Sequence, residues 1–394
     1  MPWKISSWEN QRWGFVREWL HHKSGLAAQC RRWKVSRKTA YKWIRRFEQG
    51  GRNALSDGSH EAARVHNRPS ALWLGRIRRW RALNPTWGAP KLRWVLQRRF
   101  GRKNLPSEAA ISRWLKRWGL SKKPRRRGPK GPILPRPKLT VARRPNEVWT
   151  VDFKGWYRTG DRTRVDPLTV RDQASCRILG FELMVQPNLA KTRRVFENIF
   201  RRYGLPWVIR SDNGRPFGAP GALGLTRLSA WWVKLGIRVE FIAPGRPDQN
   251  GAHEQMHRVY KNENLQPAAF SLQSQKRRSR RWQWRYNHAR PHEALGMKVP
   301  AAVYRPSRRK LPAKLPPWSY PKRWRSRRVK GKGMISLDGR GRFIGEAFEG
   351  ERIGLKPVRQ GVDEVYFGPL LLGELWASET TGIRARWYRK RSRK

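Results

Sequence analysis

Up to about residue 120 the apolar residues recur at helical spacing. From Val148 they come as short runs around one longer helical segment, and after residue 321 as shorter runs punctuated by glycine. The period therefore changes twice, which predicts a helical region, an α/β region and a small β region. In the first, Ala27, Cys30 and Trp33 predict a helix that turns at Lys34 and Val35. Ser36 is placed to cap a second helix, in which Tyr41, Ile44 and Phe47 are expected to face a core before Gly50 and Gly51 stop it. A similar pattern follows: Trp73, Ile77 and Trp80 mark a helix, Pro85 breaks it, residues 92–100 form another, and Ser107 opens a third containing Ile111, Trp114 and Leu115. Residues 147–154, 164–171 and 178–185 predict strands, 189–203 a helix, 207–211 a strand, and 228–235 and 251–261 further helices. The last region, from Val329 through Leu375 with a turn at Asp338 and Gly339, predicts a compact small β-barrel.

Charge changes the picture most. With 89 Lys and Arg against 27 Asp and Glu, the formal net charge is +62, so a compact chain repels itself unless a polyanion neutralises it. Nucleic acid is the implied partner. Both helical patterns then read as helix-turn-helix units, with Arg37, Lys38, Lys42 and Arg45 on the outer, DNA-binding face of the helix that Ser36 caps. The competing reading is a generic helical bundle with solvated basic faces. Most of the 23 Trp are expected in cores, with base stacking a minor use. Residues 121–145 are rich in Pro, Gly and basic residues and read as an extended linker. Two distant cysteines exclude a disulfide framework and fit a reducing compartment. The charged N-terminal stretch resembles no signal peptide, and no segment is apolar enough to span a membrane.

Three acids stand out in this basic chain. Asp152 interrupts the apolar run VWTVDF, Asp212 closes the strand-like WVIRSDNG, and Glu254 lies in the helix-like GAHEQMHRVYK. Buried carboxylates need a compensating charge, and Mg²⁺ or Mn²⁺ takes carboxylate oxygens while leaving positions for phosphate and water. Two such ions would serve phosphoryl transfer, and Arg258 and Lys261, following Glu254 at helical spacing, would contact the DNA backbone. Asp172 and Asp248 read as cap or turn residues, Glu240 as a strand acid facing solvent, and His253 and His257 as structural or DNA-facing. Three strands, a helix, a strand ending in an acid and a later helix supplying another match the order of a ribonuclease-H-like domain.

The segments VWTVDFKGW, VIRSDNG and PDQNGAHEQMHR, followed by YNHARPHEALG and VPAAVY, are similar to the integrase-type DDE transposases of bacterial insertion sequences. The resemblance implies that Asp152, Asp212 and Glu254 are a metal-binding catalytic triad in a core over residues 146–305. It implies helix-turn-helix domains over 1–58 and 68–121, a linker over 122–145, a β-barrel over 318–380 and a basic tail over 381–394. It further implies a bacterial, cytoplasmic, nucleoid-associated enzyme that acts as a homo-oligomer on double-stranded DNA, cutting at terminal inverted repeats and joining the ends to target DNA. Two features depart from the family: 42 positions separate Asp212 from Glu254, more than is usual, with residues 218–226 expected to loop out, and Ala252 stands where a basic residue is common. The alternatives are a catalytically impaired, transposase-derived DNA-binding regulator and a metal-dependent nuclease without strand transfer.

Overall fold

The computed structural model describes residues 8–21, 25–57, 70–121, 139–243 and 247–385. Most of the linker and much of the basic tail thus lie outside the described residues. The chain divides into two compact units, Met1–Pro69 and Ser70–Lys394.

The first unit holds α1 (Trp8–His21), α2 (Leu26–Arg32) and α3 (Arg37–Gly50) around Phe15, Val16, Cys30, Ala40, Ile44 and Leu55. The Ser36 hydroxyl accepts from the Thr39 N–H at 3.2 Å, satisfying a donor that the first turn of α3 leaves free. At the other end Gly51, at φ 60°, donates to the Phe47 carbonyl and stops the helix. One expectation is corrected: Tyr41 is 62% exposed. A strict three-residue step drifts about 60° around a helix, so the buried stripe runs through Ala40 and Ile44, with Trp43 and Phe47 packed beside them. Arg37, Lys38, Lys42 and Arg45 are all exposed.

The second unit begins with α4 (Ala71–Leu83), α5 (Ala89–Phe100) and α6 (Glu108–Arg117), which close over Trp73, Ile77, Leu92, Leu96 and Ile111. Ser70 and Ser107 cap α4 and α6 through side-chain hydrogen bonds. Then come β1 (Val148–Phe153), β2 (Tyr157–Arg158), β3 (Arg164–Asp172), β4 (Ile178–Met184), α7 (Leu189–Tyr203), β5 (Val208–Ser211), α8 (Arg227–Lys234), β6 (Arg238–Phe241), α9 (Gly251–Asn264) and α10 (Leu272–His288). The sheet order is β2-β3-β1-β5-β6, with β4 paired to β3. The β1–β3 and β3–β4 pairs are antiparallel, and β1–β5 and β5–β6 are parallel. This is the mixed sheet of a ribonuclease-H-like core. β1 is central, and its Val148, Trp149 and Val151 are fully buried, which is why its sequence reads as a continuous apolar run.

Past the core lie β7 (Arg325–Arg328), the hairpin β8 (Met334–Leu337) and β9 (Arg340–Phe343), then β10 (Arg352–Arg359), β11 (Val362–Phe367), β12 (Leu370–Trp376) and β13 (Arg384–Ala385). Asp338 and Gly339 both have positive φ, as a two-residue hairpin turn requires. The larger sheet runs β13-β12-β11-β10-β7, and among the described residues no pairing joins β13 to β7. It is an open antiparallel sheet and not the closed barrel expected from the sequence. The edges explain this, since β7 reads RSRR and β13 is two residues long, and charged or very short edge strands resist pairing. One apolar cluster continues from Trp149, Phe200 and Trp232 of the core into Ile353, Leu355 and Phe367 of this sheet.

Candidate active site

Asp152 lies on β1 opposite Thr169 of β3, Asp212 directly follows β5, the parallel neighbour of β1, and Glu254 is in the first turn of α9. Three elements therefore bring the three acids to one region. The Asp152 carboxyl is pushed up to about 7, first by burial, then by the negative charge of Asp212 and, more weakly, of Glu254. Glu254 is exposed and Asp212 half-buried. The Asp212 carboxylate turns back to accept from the Gly214 N–H at 3.2 Å, and a Cβ at Gly214 would stand 3.2 Å from its other oxygen, so the glycine keeps that approach open. Asn213 fastens the same loop by donating to the Ile242 carbonyl at 2.7 Å, just past β6.

α9 is pinned to the sheet by its buried face. Thr150 Oγ1 lies 2.8 Å from His253 Nδ1, while Thr169 Oγ1 lies 2.6 Å from His253 Nε2, 2.8 Å from His257 Nε2 and 3.0 Å from the Asp152 carbonyl. One proton arrangement satisfies the whole network. Thr169 donates to the Asp152 carbonyl and accepts from both Nε2–H groups, and Thr150 donates to His253 Nδ1. Both rings are neutral: burial holds His253 well below its usual range, with His257 and Arg171 adding to the effect, and brings His257 down to about 3, helped by Lys154.

The residues His253–His257 also spell H-E-x-x-H, a zinc-protease helix spacing. Here both Nε2 atoms are engaged by one threonine hydroxyl, so the spacing serves packing of α9. The two histidines are thus structural. The outer face of α9 carries Glu254, Arg258 and Lys261, all exposed. Sequence reading missed Lys154, two residues past Asp152. It is half-buried, and its ammonium is held below the usual range by burial and by Lys261. Its place directly after the acid-bearing run was the available signal.

The other acids behave differently. Glu240 is 7% exposed and paired with Arg210 at 2.9 Å and Arg238 at 3.1 Å, so it does not face solvent as the sequence suggested. Asp172 is fully buried and accepts from the Asn146 N–H and the Ser175 N–H, both at 2.7 Å, as a turn cap does. Among the described residues, by contrast, none of Asp152, Asp212 and Glu254 pairs with a lysine or arginine. The nearest partner is neutral His257, with Nδ1 3.8 Å from an Asp152 oxygen. The donor set is entirely carboxylate oxygen, which suits a hard divalent cation, and the strained Asp152 carboxyl is the group such a charge would relieve. The three side chains are not drawn into a ready-made cage: among the described residues no group of three or more acids, histidines or cysteines is arranged to hold a metal ion. A cavity of about 820 Å³ opens nearby against Phe153, Arg215 and Phe348, but none of the three acids lines it.

Comparison with known proteins agrees with this layout. Integrase core domain models match residues 142–247 and 235–300, a helix-turn-helix domain matches 11–63, and the C-terminal domain of IS481 family transposases matches 325–378. The chain is 28% identical over 180 residues to the insertion element IS407 uncharacterized 31.7 kDa protein of Burkholderia multivorans, covering 45% of this chain and 62% of the relative. It is 29% identical over 178 residues to the insertion element IS476 uncharacterized 39.2 kDa protein of Xanthomonas euvesicatoria, covering 45% and 49%. The matches thus span between about half and three-fifths of these relatives. Among solved structures, the simian T-cell lymphotropic virus intasome in complex with PP2A regulatory subunit B56 gamma aligns over 75% of this chain and 97% of that one, at 14% identity and a TM-score of 0.35. The HTLV-2 integrase catalytic core domain in complex with magnesium aligns over 41% and 96%, at 15% identity and a TM-score of 0.30. With models of an integrase core, a helix-turn-helix domain and an IS481-type C-terminal domain matching successive parts of one chain, and insertion-element proteins as its relatives, the chain is similar to the integrase-type transposases of insertion elements.

Proposed function

We propose that the protein is a DNA transposase that binds the terminal inverted repeats of its element, cuts DNA strands at the ends and joins the 3′-hydroxyl ends to target DNA. Asp152, Asp212 and Glu254 are the ligands of two Mg²⁺ or Mn²⁺ ions. The observation that carries this reading is the mutual field of three acids from β1, the end of β5 and α9, which among the described residues have no lysine or arginine partner in a chain of net charge +62. When bound, the ions supply the positive charge that activates a water or 3′-hydroxyl and stabilises the leaving oxygen.

The chain's own residues do the rest. Lys154, Arg258 and Lys261 form a basic rim that holds the phosphate backbone. The His253–Thr169–His257 network fixes α9, and with it Glu254, over β1. Arg37, Lys38, Lys42 and Arg45 grip the element end, the basic linker and tail follow the backbone, and a homo-oligomer holds two ends together. Among the described residues no helix is long and apolar enough to cross a membrane, and the bacterial cytoplasm and nucleoid are the proposed place of action.

The test is end cleavage and strand transfer with Mg²⁺ or Mn²⁺ on DNA flanking the gene, comparing wild type with Asp212→Asn, together with Mn²⁺ binding by calorimetry. Loss of joined products and of Mn²⁺ binding with DNA affinity retained is the expected result. Equal activity in the variant would sink the assignment. Metal-independent binding without cleavage by wild type would make the protein a DNA-binding regulator.

A further inference from the structure

Glu254 and Glu263 occupy the two ends of α9, and the second end is clasped to the helical module of residues 70–121. The Glu263 carboxylate, whose side chain is 17% exposed, accepts from Arg290 at 2.9 Å, from Trp282 Nε1 at 2.8 Å and from the Thr86 hydroxyl of the module. Arg290 also reaches Thr86 directly at 2.9 Å. Beside this cluster, Arg285 donates to the Leu83 carbonyl at 3.0 Å and to the Asn84 side chain at 2.8 Å, and Lys91 pairs with Glu293. Every module residue in the clasp falls between 83 and 91, where α4 passes into α5. α6, with Ser112, Arg113, Lys116 and Arg117 exposed, takes no part and stays open to a ligand.

We infer that Glu263 is a positioning residue: through it the module and the helix carrying Glu254 form one rigid body, so that DNA held on α6 meets the three acids at a single fixed register. The inference rests on the function proposed above for the acids. The charges make the clasp strong. Glu263 is a rare acid in this chain and the carboxylate partner of buried Arg290, so removing it leaves that guanidinium uncompensated at the junction. α9 transmits the constraint because it is itself bonded to both α10 and β3. Tyr260 is bonded to Ser279 of α10 at 2.8 Å and His257 to Thr169 of β3.

Two measurements on the full chain test this. The first places spin labels at Ser112→Cys on α6 and Arg194→Cys on α7, both exposed, while native Cys30 and Cys176 are buried. One narrow distance is expected in the otherwise unaltered protein, and a broad distribution in Glu263→Ala and in Arg285→Ala. Arg285 is exposed, so its replacement breaks the link to the module without emptying the core. The second maps the cut phosphodiester on end DNA with Mg²⁺. A single position is expected from wild type, and cuts scattered over neighbouring positions from both variants, with total cutting retained. A broad distance in the unaltered protein, or narrow distances and one unchanged cut position in both variants, overturns the inference. If wild type cuts nothing, the proposed function fails instead, and the distances alone still decide whether the clasp holds.

Discussion

Glu240 and Asp152 are acids on the same central sheet, on β6 and β1 with β5 between them, and the chain treats them in opposite ways. Glu240 is clamped by Arg210, Arg238 and Thr140, and charge and hydrogen bonding are complete. Asp152 faces a neutral histidine and two further acids. With 89 lysines and arginines available, pairing is the easy outcome for a buried acid here. Three acids together with no such pairing among the described residues represent a cost that folding alone does not explain. The contrast therefore separates a paired structural acid from the one proposed as a metal ligand more firmly than position in a strand does, since both residues sit in apolar runs.

The sharpest way to break the comparison is at its structural end. Glu240→Ala strands the Arg210 guanidinium, itself 3% exposed, and is expected to cost about 3–5 kcal/mol, read as a large fall in denaturant midpoint. A fall no larger than that of a surface substitution would mean that the pair is not holding β5 to β6.

The opposite sign is expected at Asp152. Its carboxyl is raised from an ordinary value near 3.8 to about 7, so the native state binds a proton that the unfolded chain has already released. The stability advantage of the protonated acid is fully present below about pH 4 and is lost as pH rises to 7 and beyond. Without divalent cations, Asp152→Asn should thus be more stable than wild type above pH 7, by up to about 4 kcal/mol, and should lack this pH dependence. Mg²⁺ should narrow the gap by stabilising wild type alone. Thermal melts from pH 4 to 8 check this, and a variant less stable than wild type at pH 8 would contradict the burial and repulsion argued for the site.

What the sequence displayed and what it hid follow from the range of the interactions involved. The caps at Ser36 and Ser107, the turn at Asp338 and Gly339 and the strands were legible because each depends on a few neighbouring residues. Glu240 was misread because its partner Thr140 lies 100 residues away and Arg210 lies 30 away. The sequence left His253 and His257 open between a structural and a DNA-facing role for the same reason: their partners, Thr150 and Thr169, lie between 84 and 103 residues upstream. Tyr41 failed for a local reason, since small Ala40 carries little hydrophobic signal yet takes the fully buried place. Closure of the last sheet depends on what its edges meet, which alternation within a strand does not encode.

The smallest expected effect lies in the network beside Asp152, because Thr169 supports α9 without touching Glu254. Thr169→Val keeps the shape and the β-branching but removes the acceptor for the Nε2–H of fully buried His253 and of His257. An orphaned buried donor costs about 1–3 kcal/mol, and partial relaxation of two neighbouring rings should leave the total near 2 kcal/mol. Thr169→Ser restores the hydroxyl and should recover most of that loss, which separates the hydrogen bonds from packing. If α9 depends on this network for its seat, cutting should fall in the valine variant and return with serine at temperatures well below either melting point. Equal cutting in all three proteins, with the stability difference still present, would mean that α10 and the clasp at Glu263 suffice to hold Glu254 in place.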